Sequence, residues 1–150
     1  MMNEAVVNTA ARTPVHLWIV GALATLWNAF GCFDYLMTQT GNADYLAQFT
    51  DAQRAYFQSF PAWMEAAWAI GVWGALLGSL LLLMRSRHAV LAFEASLAGL
   101  LVGTVYQYGL ADMPDDMMTP PMLTISLLIW VIAIALLVYA MRMRRRGVLR

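Results

Sequence analysis

Four long apolar runs alternate with short polar stretches along this chain, and their lengths set the first expectation. Residues 15–37, 62–84, 89–109 and 123–141 are almost continuously hydrophobic. At 1.5 Å rise per residue, about twenty helical residues cross the ~30 Å hydrocarbon core of a bilayer. The pattern therefore predicts an all-α integral membrane protein: a single domain over 1–150, built as a bundle of four transmembrane helices. The second and third runs read as a helical hairpin, because neither has a proline in its interior and only Arg85-Ser86-Arg87-His88 separates them. In the first run, Ala22-Leu23-Ala24 resembles a signal-peptide cleavage site, but the apolar residues continue well beyond it and an uncleaved span is expected.

The polar stretches carry their own signals. Pro14 and Pro61 stand just where helices should begin, which suits a residue with fixed φ and no N–H. Thr50-Asp51-Ala52-Gln53 has the spacing of a capping box, so a short helix is expected at about 51–59. Tyr45, Phe49, Tyr56, Phe57 and Phe60 should rest at the membrane interface, where aromatic rings are favoured. Residues 110–122 contain three aspartates and three prolines and read as a non-helical acidic loop.

Charge orients the bundle. Arg12, the Arg85/Arg87 turn and the terminal run Arg142, Arg144, Arg145, Arg146 and Arg150 fall on one side of a four-span chain. The other side holds Asp44, Asp51, Asp112, Asp115 and Asp116 against a single Arg54. Positive charge stays inside, so both termini are expected in the cytoplasm of a bacterial inner (cytoplasmic) membrane, multi-pass. Composition agrees: 61% of residues are hydrophobic and 12% charged, half the charge of a typical soluble domain, about 25%. The terminal arginines abut an apolar helix and read as an anchor for anionic headgroups, so the expected partner is the lipid bilayer and not a nucleic acid. Cys32 is the sole cysteine, which excludes an internal disulfide.

Helices gain little hydrophobic drive from packing on each other in lipid, so small residues and polar contacts must hold the bundle. Gly71, Gly74 and Gly78 on the second span and Ser96, Gly99 and Gly103 on the third are placed for direct contact between these two arms. Gly21, Thr25, Asn28, Gly31 and Cys32 give the first span a small-residue stripe. The fourth span is bulky Leu, Ile and Val and should be the most exposed to lipid.

Candidate chemistry is sparse. Asn28, Asp34, Glu65 and Glu94 interrupt the spans, and Gln107 joins them near the end of the third. Ionisable groups within spans are expensive and usually face the bundle interior or a cavity. Asp34, Glu65 and Gln107 with Tyr35, Tyr106 and Tyr108 could form a polar pocket open to the outside. Glu94, about five residues inside the third span, is the candidate proton or ligand group. His16 and His88 at the arginine-bearing helix ends could ligate haem or a metal, but suit interfacial caps better. Met113, Met117, Met118 and Met122 offer soft thioether ligands for copper without a helping histidine or cysteine. No cofactor or metal is expected. The absence of a phosphate-binding loop, nucleophile elbow or HExxH lowers the odds of conventional enzymology.

The segments LWNAFGCFDYLMTQT and GVWGALLGSLLLLMRSRHAV resemble those of small bacterial inner-membrane proteins loosely labelled sugar-transporter-like. In general build the chain is similar to DoxX-like four-helix proteins. The resemblance implies transport. The leading expectation is a small-molecule transporter or binding bundle, acting as a homo-oligomer because a chain this short needs a second copy for alternating access. The alternatives are an accessory subunit of a larger membrane complex and a membrane enzyme using carboxylates on a lipophilic substrate.

Overall fold

The computed structural model describes residues 13–150, so Arg12 and the rest of the N-terminal lead lie outside the described residues. The described residues form six α-helices and no strand: α1 (Val15–Gln39), α2 (Ala43–Leu46), α3 (Asp51–Gln58), α4 (Ala62–Leu83), α5 (Ala89–Gly109) and α6 (Pro120–Arg145). The long ones, α1, α4, α5 and α6, are each long and apolar enough to cross a membrane. Their starts follow proline: Pro14 and Pro61 are the N-caps of α1 and α4, and Pro120-Pro121 open α6. That last pair makes α6 begin three residues before 123, because proline costs a helix nothing in its first turn, where N–H groups lack partners anyway. The helix also continues past 141 to Arg145, since arginine is a good helix former and favours a helix C-terminus. The acidic loop is shortened accordingly and contains a 3₁₀ turn at Asp115–Met117.

Thr50 and Gln53 form the expected capping box at the head of α3, each side chain bonded to the other's backbone N–H. The one-turn α2 was not expected; Asn42 caps it by accepting from the Tyr45 N–H.

The α4–α5 hairpin is the centre of the bundle, with α1 packed on α4 and α6 on α5. Contact is closest at the glycines. Gly71, Gly74 and Gly99 lie against backbone atoms of the facing helix, and Gly78 lies against the Phe93 ring. A side-chain hydrogen bond spans each adjoining pair. Ser96 Oγ donates to the Gly71 carbonyl (2.6 Å), joining α5 to α4. Asn28 Nδ2 donates to Ser79 Oγ (2.8 Å), and Cys32 Sγ to the Val72 carbonyl (3.3 Å), joining α1 to α4. Trp130 Nε1 donates to Thr104 Oγ1 (3.1 Å), joining α6 to α5. Such bonds are worth about 0.6–1.7 kcal/mol each in a bilayer, where apolar burial discriminates little. The small-residue stripe of α1 is indeed its α4-facing side, and α6 is the least covered span, with 6% of its most apolar window buried against 22–33% for the others.

Two clusters close the ends. At the arginine end, Leu17, Leu82, Val90, Phe93, Leu136, Ala140 and Met143 pack together with Val148 and Leu149. The chain reaches this place because Gly147 takes a left-handed φ of 69° and turns the tail back from α6. The turn is closed by bonds from Val148 N to Met143 O and from Gly147 N to Arg144 O, the pattern of a Schellman cap. The tail then pairs with the α4–α5 turn, Arg87 N to Arg150 O (2.9 Å) and Arg150 N to Arg85 O (2.8 Å). The arginine run is thus held to the basic turn by main-chain bonds, and Arg85, Arg87 and the terminal arginines share one end.

At the opposite, acidic end, α3 lies over the hairpin. Tyr56, Phe60 and Met64 are buried there, backed by Phe57, Trp68, Tyr106, Met113 and Met117. The rings meet edge to face in a chain from Phe33 through Tyr45, Phe49, Phe57 and Phe60 to Tyr106 and Trp63. Perpendicular aromatic pairs are the preferred arrangement of ring quadrupoles, so this end is set by ring geometry.

Candidate functional site

Because α1 packs on α4 and α6 on α5, the two outer helices face each other across the hairpin. They meet at the arginine end, where His16 Nδ1 and the Tyr139 hydroxyl are 2.5 Å apart. Further along they leave a cleft of about 1100 Å³, floored by α4 and α5. The floor is low for a definite reason. Gly71, Ala75, Ser96, Gly99 and Gly103 line it, so the small side chains that let α4 and α5 approach also leave space above them. The walls are Trp27, Phe30 and Phe33 from α1 and Ile125, Leu127, Ile129 and Trp130 from α6. Several of these wall residues are widely exposed, Phe30 at 76% and Leu127 at 65%, so the cleft opens sideways at the depth of the apolar spans.

Polar groups gather toward the acidic end. Asp34, Tyr45, Gln107 and Tyr108 all line the cleft there. Asp34 is five residues before the end of α1, about 7–8 Å below it by helix rise. The Tyr45 hydroxyl donates to Asp34 Oδ1 at 2.5 Å, and the Phe33 ring sits edge-on to Tyr45. Burial, with the hydrogen bond to Asp34 and its charge, pushes the Tyr45 phenol up to about 12, while a hydrogen bond with Gln48 works the other way. Deeper in the cleft, Asn28 commits its amide nitrogen to Ser79 and to the Ala75 carbonyl. The cleft is therefore an apolar, ring-walled slot with one carboxylate near its acidic end.

The sequence-derived candidates separate into distinct places. Asn28, Asp34, Gln107 and Tyr108 come together in the cleft. Tyr35 and Tyr106, expected beside them, are taken by the aromatic network instead: Tyr35 packs on Trp68 and Tyr106 on Phe60 and Trp63. Glu65 sits in the first turn of α4, outside the cleft lining. Glu94 is also outside it, on the exposed outer side of α5. Met113 and Met117 pack against the Tyr56 cluster while Met118 and Met122 are exposed, so the four thioethers do not share one environment. His16 is engaged by Tyr139, and exposed His88 is the N-cap of α5. No group of three or more His, Cys, Asp or Glu side chains converges among the described residues. Gly71, Gly99 and Gly103 serve both the helix contact and the cleft floor.

Sequence reasoning missed Tyr45, Thr104, Ser126 and Trp130. Ser126 and Trp130 are four apart, hence on one face of α6, and they are polar-tipped positions in a largely aliphatic run; that spacing was a usable signal. Tyr45 had none, because it reaches Asp34 from a turn outside the spans.

The described residues form an all-helical bundle with four helices long and apolar enough to cross a membrane. Comparison with family models, with curated proteins and with solved structures found no match.

Proposed function

We propose that this protein binds an amphiphilic small molecule in the cleft between α1 and α6, as the binding unit of a carrier or transporter. The observation that carries this reading is the cleft itself: about 1100 Å³, open sideways at span depth, apolar along its length and polar at one end. Ligand pockets are commonly mostly apolar cavities of ~300–1,000 Å³ with a few placed polar groups, and this one sits where a lipophile would enter from the bilayer. The arginine end faces the cytoplasm of a bacterial inner membrane, following the positive-inside rule, so the Asp34 end of the cleft faces outward. A site between helices of a DoxX-like or sugar-transporter-like bundle fits the same role.

The test is mass spectrometry of protein extracted in mild detergent, beside an Ala133→Trp variant. Ala133 lines the cleft from α6 and is not among the atoms nearest the α4–α5 glycines, so an indole there should fill the slot from the α6 side. A co-purifying lipophile that is retained by the parent and lost from the variant, at equal thermal stability, supports the reading. Equal lipophile content in both refutes it.

One observation favours a second reading, that the chain works beside a protein partner or a second copy. Glu94 is exposed on α5 five residues inside the span, and a carboxylate facing hydrocarbon is expensive unless something pairs with it. Native-mass analysis of the parent and Glu94→Leu variants decides this: a larger assembly that dissociates on substitution supports it, and a parent that is monomeric in every mild detergent removes it.

A further inference from the structure

We infer that the molecule taken by the cleft is a lipophilic organic cation, with Asp34 as its counter-ion and the surrounding rings as its walls. This rests on reading the cleft as a ligand site and adds the charge of the ligand.

The first ground is the lining. Among the described residues, Asp34 is the cleft's one carboxylic side chain, and no Arg, Lys or His contributes to its walls. Among the described residues there is a single salt bridge, Arg54 with Asp51, and Asp34 has no share in it. Its described hydrogen-bond partner is the neutral Tyr45 phenol on Oδ1. Asp34 is part-buried beside apolar walls and only Oδ1 is engaged, by one phenol, so Oδ2 is left for an occupant that brings a positive charge.

The second ground is the rings. Phe33, Tyr45, Trp68 and Tyr108 all line the acidic half of the cleft with Asp34. Trp68 reaches across to α1, its ring 5.1 Å from that of Tyr35. Aromatic faces attract cations through the ring quadrupole and do so best where water is excluded. A carboxylate among such faces selects an ammonium or phosphonium centre that carries apolar groups.

The third ground is the approach. The acidic end carries Asp34, Asp44, Asp51, Glu65, Asp112, Asp115 and Asp116 against Arg54, while the other end carries Arg85, Arg87 and the terminal arginines. The field at the polar mouth of the cleft is therefore negative, which concentrates cations and repels fatty acids and other anionic amphiphiles. A zwitterionic lipid is disfavoured for a related reason: its phosphate would find no cation among the described lining residues.

The test uses two lipophilic ions of nearly equal size and opposite charge, tetraphenylphosphonium and tetraphenylborate, with neutral triphenylphosphine as a third probe. Each is titrated into purified protein in a non-ionic detergent and followed by tryptophan fluorescence, since Trp27, Trp68 and Trp130 line the cleft, with equilibrium dialysis as the second readout. The phosphonium should bind at least tenfold more tightly than the borate. Asp34→Asn keeps an acceptor for Tyr45 and should abolish that preference without lowering thermal stability, whereas Asp34→Glu should retain it. Equal binding of the three probes would leave the cleft a ligand site and overturn its charge selectivity, as would a preference that survives Asp34→Asn. Saturable binding of none of them would overturn both readings. Displacement of the phosphonium by an equal concentration of short-chain phosphatidylcholine would overturn the choice of a free cation over a lipid headgroup.

Discussion

Gly99→Ala is the substitution whose outcome depends most directly on how this bundle is held. A Cβ added at Gly99 would lie 2.5 Å from the Ala67 carbonyl oxygen, 2.7 Å from Gly71 N and 3.1 Å from Gly71 Cα. All three atoms are backbone of α4, so no rotamer change gives relief and the helices must part by roughly 1 Å to reach the ~3.5–4.0 Å of an unstrained carbon contact. Overpacking of this kind costs about 1–3 kcal/mol. Separation also stretches the 2.6 Å bond from Ser96 to the Gly71 carbonyl, worth about 0.6–1.7 kcal/mol. Alanine's better helix propensity returns about 0.5–1 kcal/mol, leaving a net loss of about 2 kcal/mol. Gly103, one turn further on the same helix, supplies the control. A Cβ there meets only the flexible end of Met64, at 3.4 Å, so Gly103→Ala should be neutral or stabilising by up to about 1 kcal/mol. The assay is reversible unfolding of both variants in one detergent, by thermal melt or denaturing-detergent titration. Equal stability of Gly99→Ala and Gly103→Ala would refute the close approach of α4 and α5 at Gly99.

Three further outcomes follow from the same packing. Asn28→Ala removes the bond to wholly buried Ser79 and should cost about 1 kcal/mol; an unchanged melting curve would show that α1 is held otherwise. Arg85 occupies a left-handed φ of 59° and buries an Nε without a hydrogen-bond partner, so Arg85→Gly should stabilise by about 1 kcal/mol, and any loss of stability would contradict this. Tyr56, buried under α3 and near Tyr106 and Tyr108, is pushed up to about 12, as is Tyr45. Both values exceed the ordinary ~10 of tyrosine, so the folded state holds these protons more tightly, and the associated stability is whole below pH ~10 and lost as pH climbs through about 12. An absorbance titration near 295 nm should show a late phase that Tyr45→Phe and Tyr56→Phe each diminish; a single early transition for all tyrosines would refute the shift.

The hydrophobic pattern by itself determined the number of long helices and, to within a few residues, where they lie, because a helix in lipid must satisfy its backbone internally and span a fixed thickness. The α3 capping box, the glycine contact between α4 and α5 and the exposed character of α6 were equally legible, since each depends on residues close in sequence or on one helical face. The limits of α6 were less so: the flanking prolines and arginines obey helix-end chemistry, not hydropathy. What only the tertiary structure decided is which polar groups share a space. Asp34 and Gln107 stood out in the sequence, but their separation from Glu94 and Glu65 depends on the rotation of each helix about its axis, which packing against neighbours sets. The partnership of Asp34 with Tyr45, the folding of Val148 and Leu149 into the arginine-end cluster and the cleft between α1 and α6 are likewise non-local. Each arises from how helices far apart in sequence rest on one another, and no residue spacing along the chain records that.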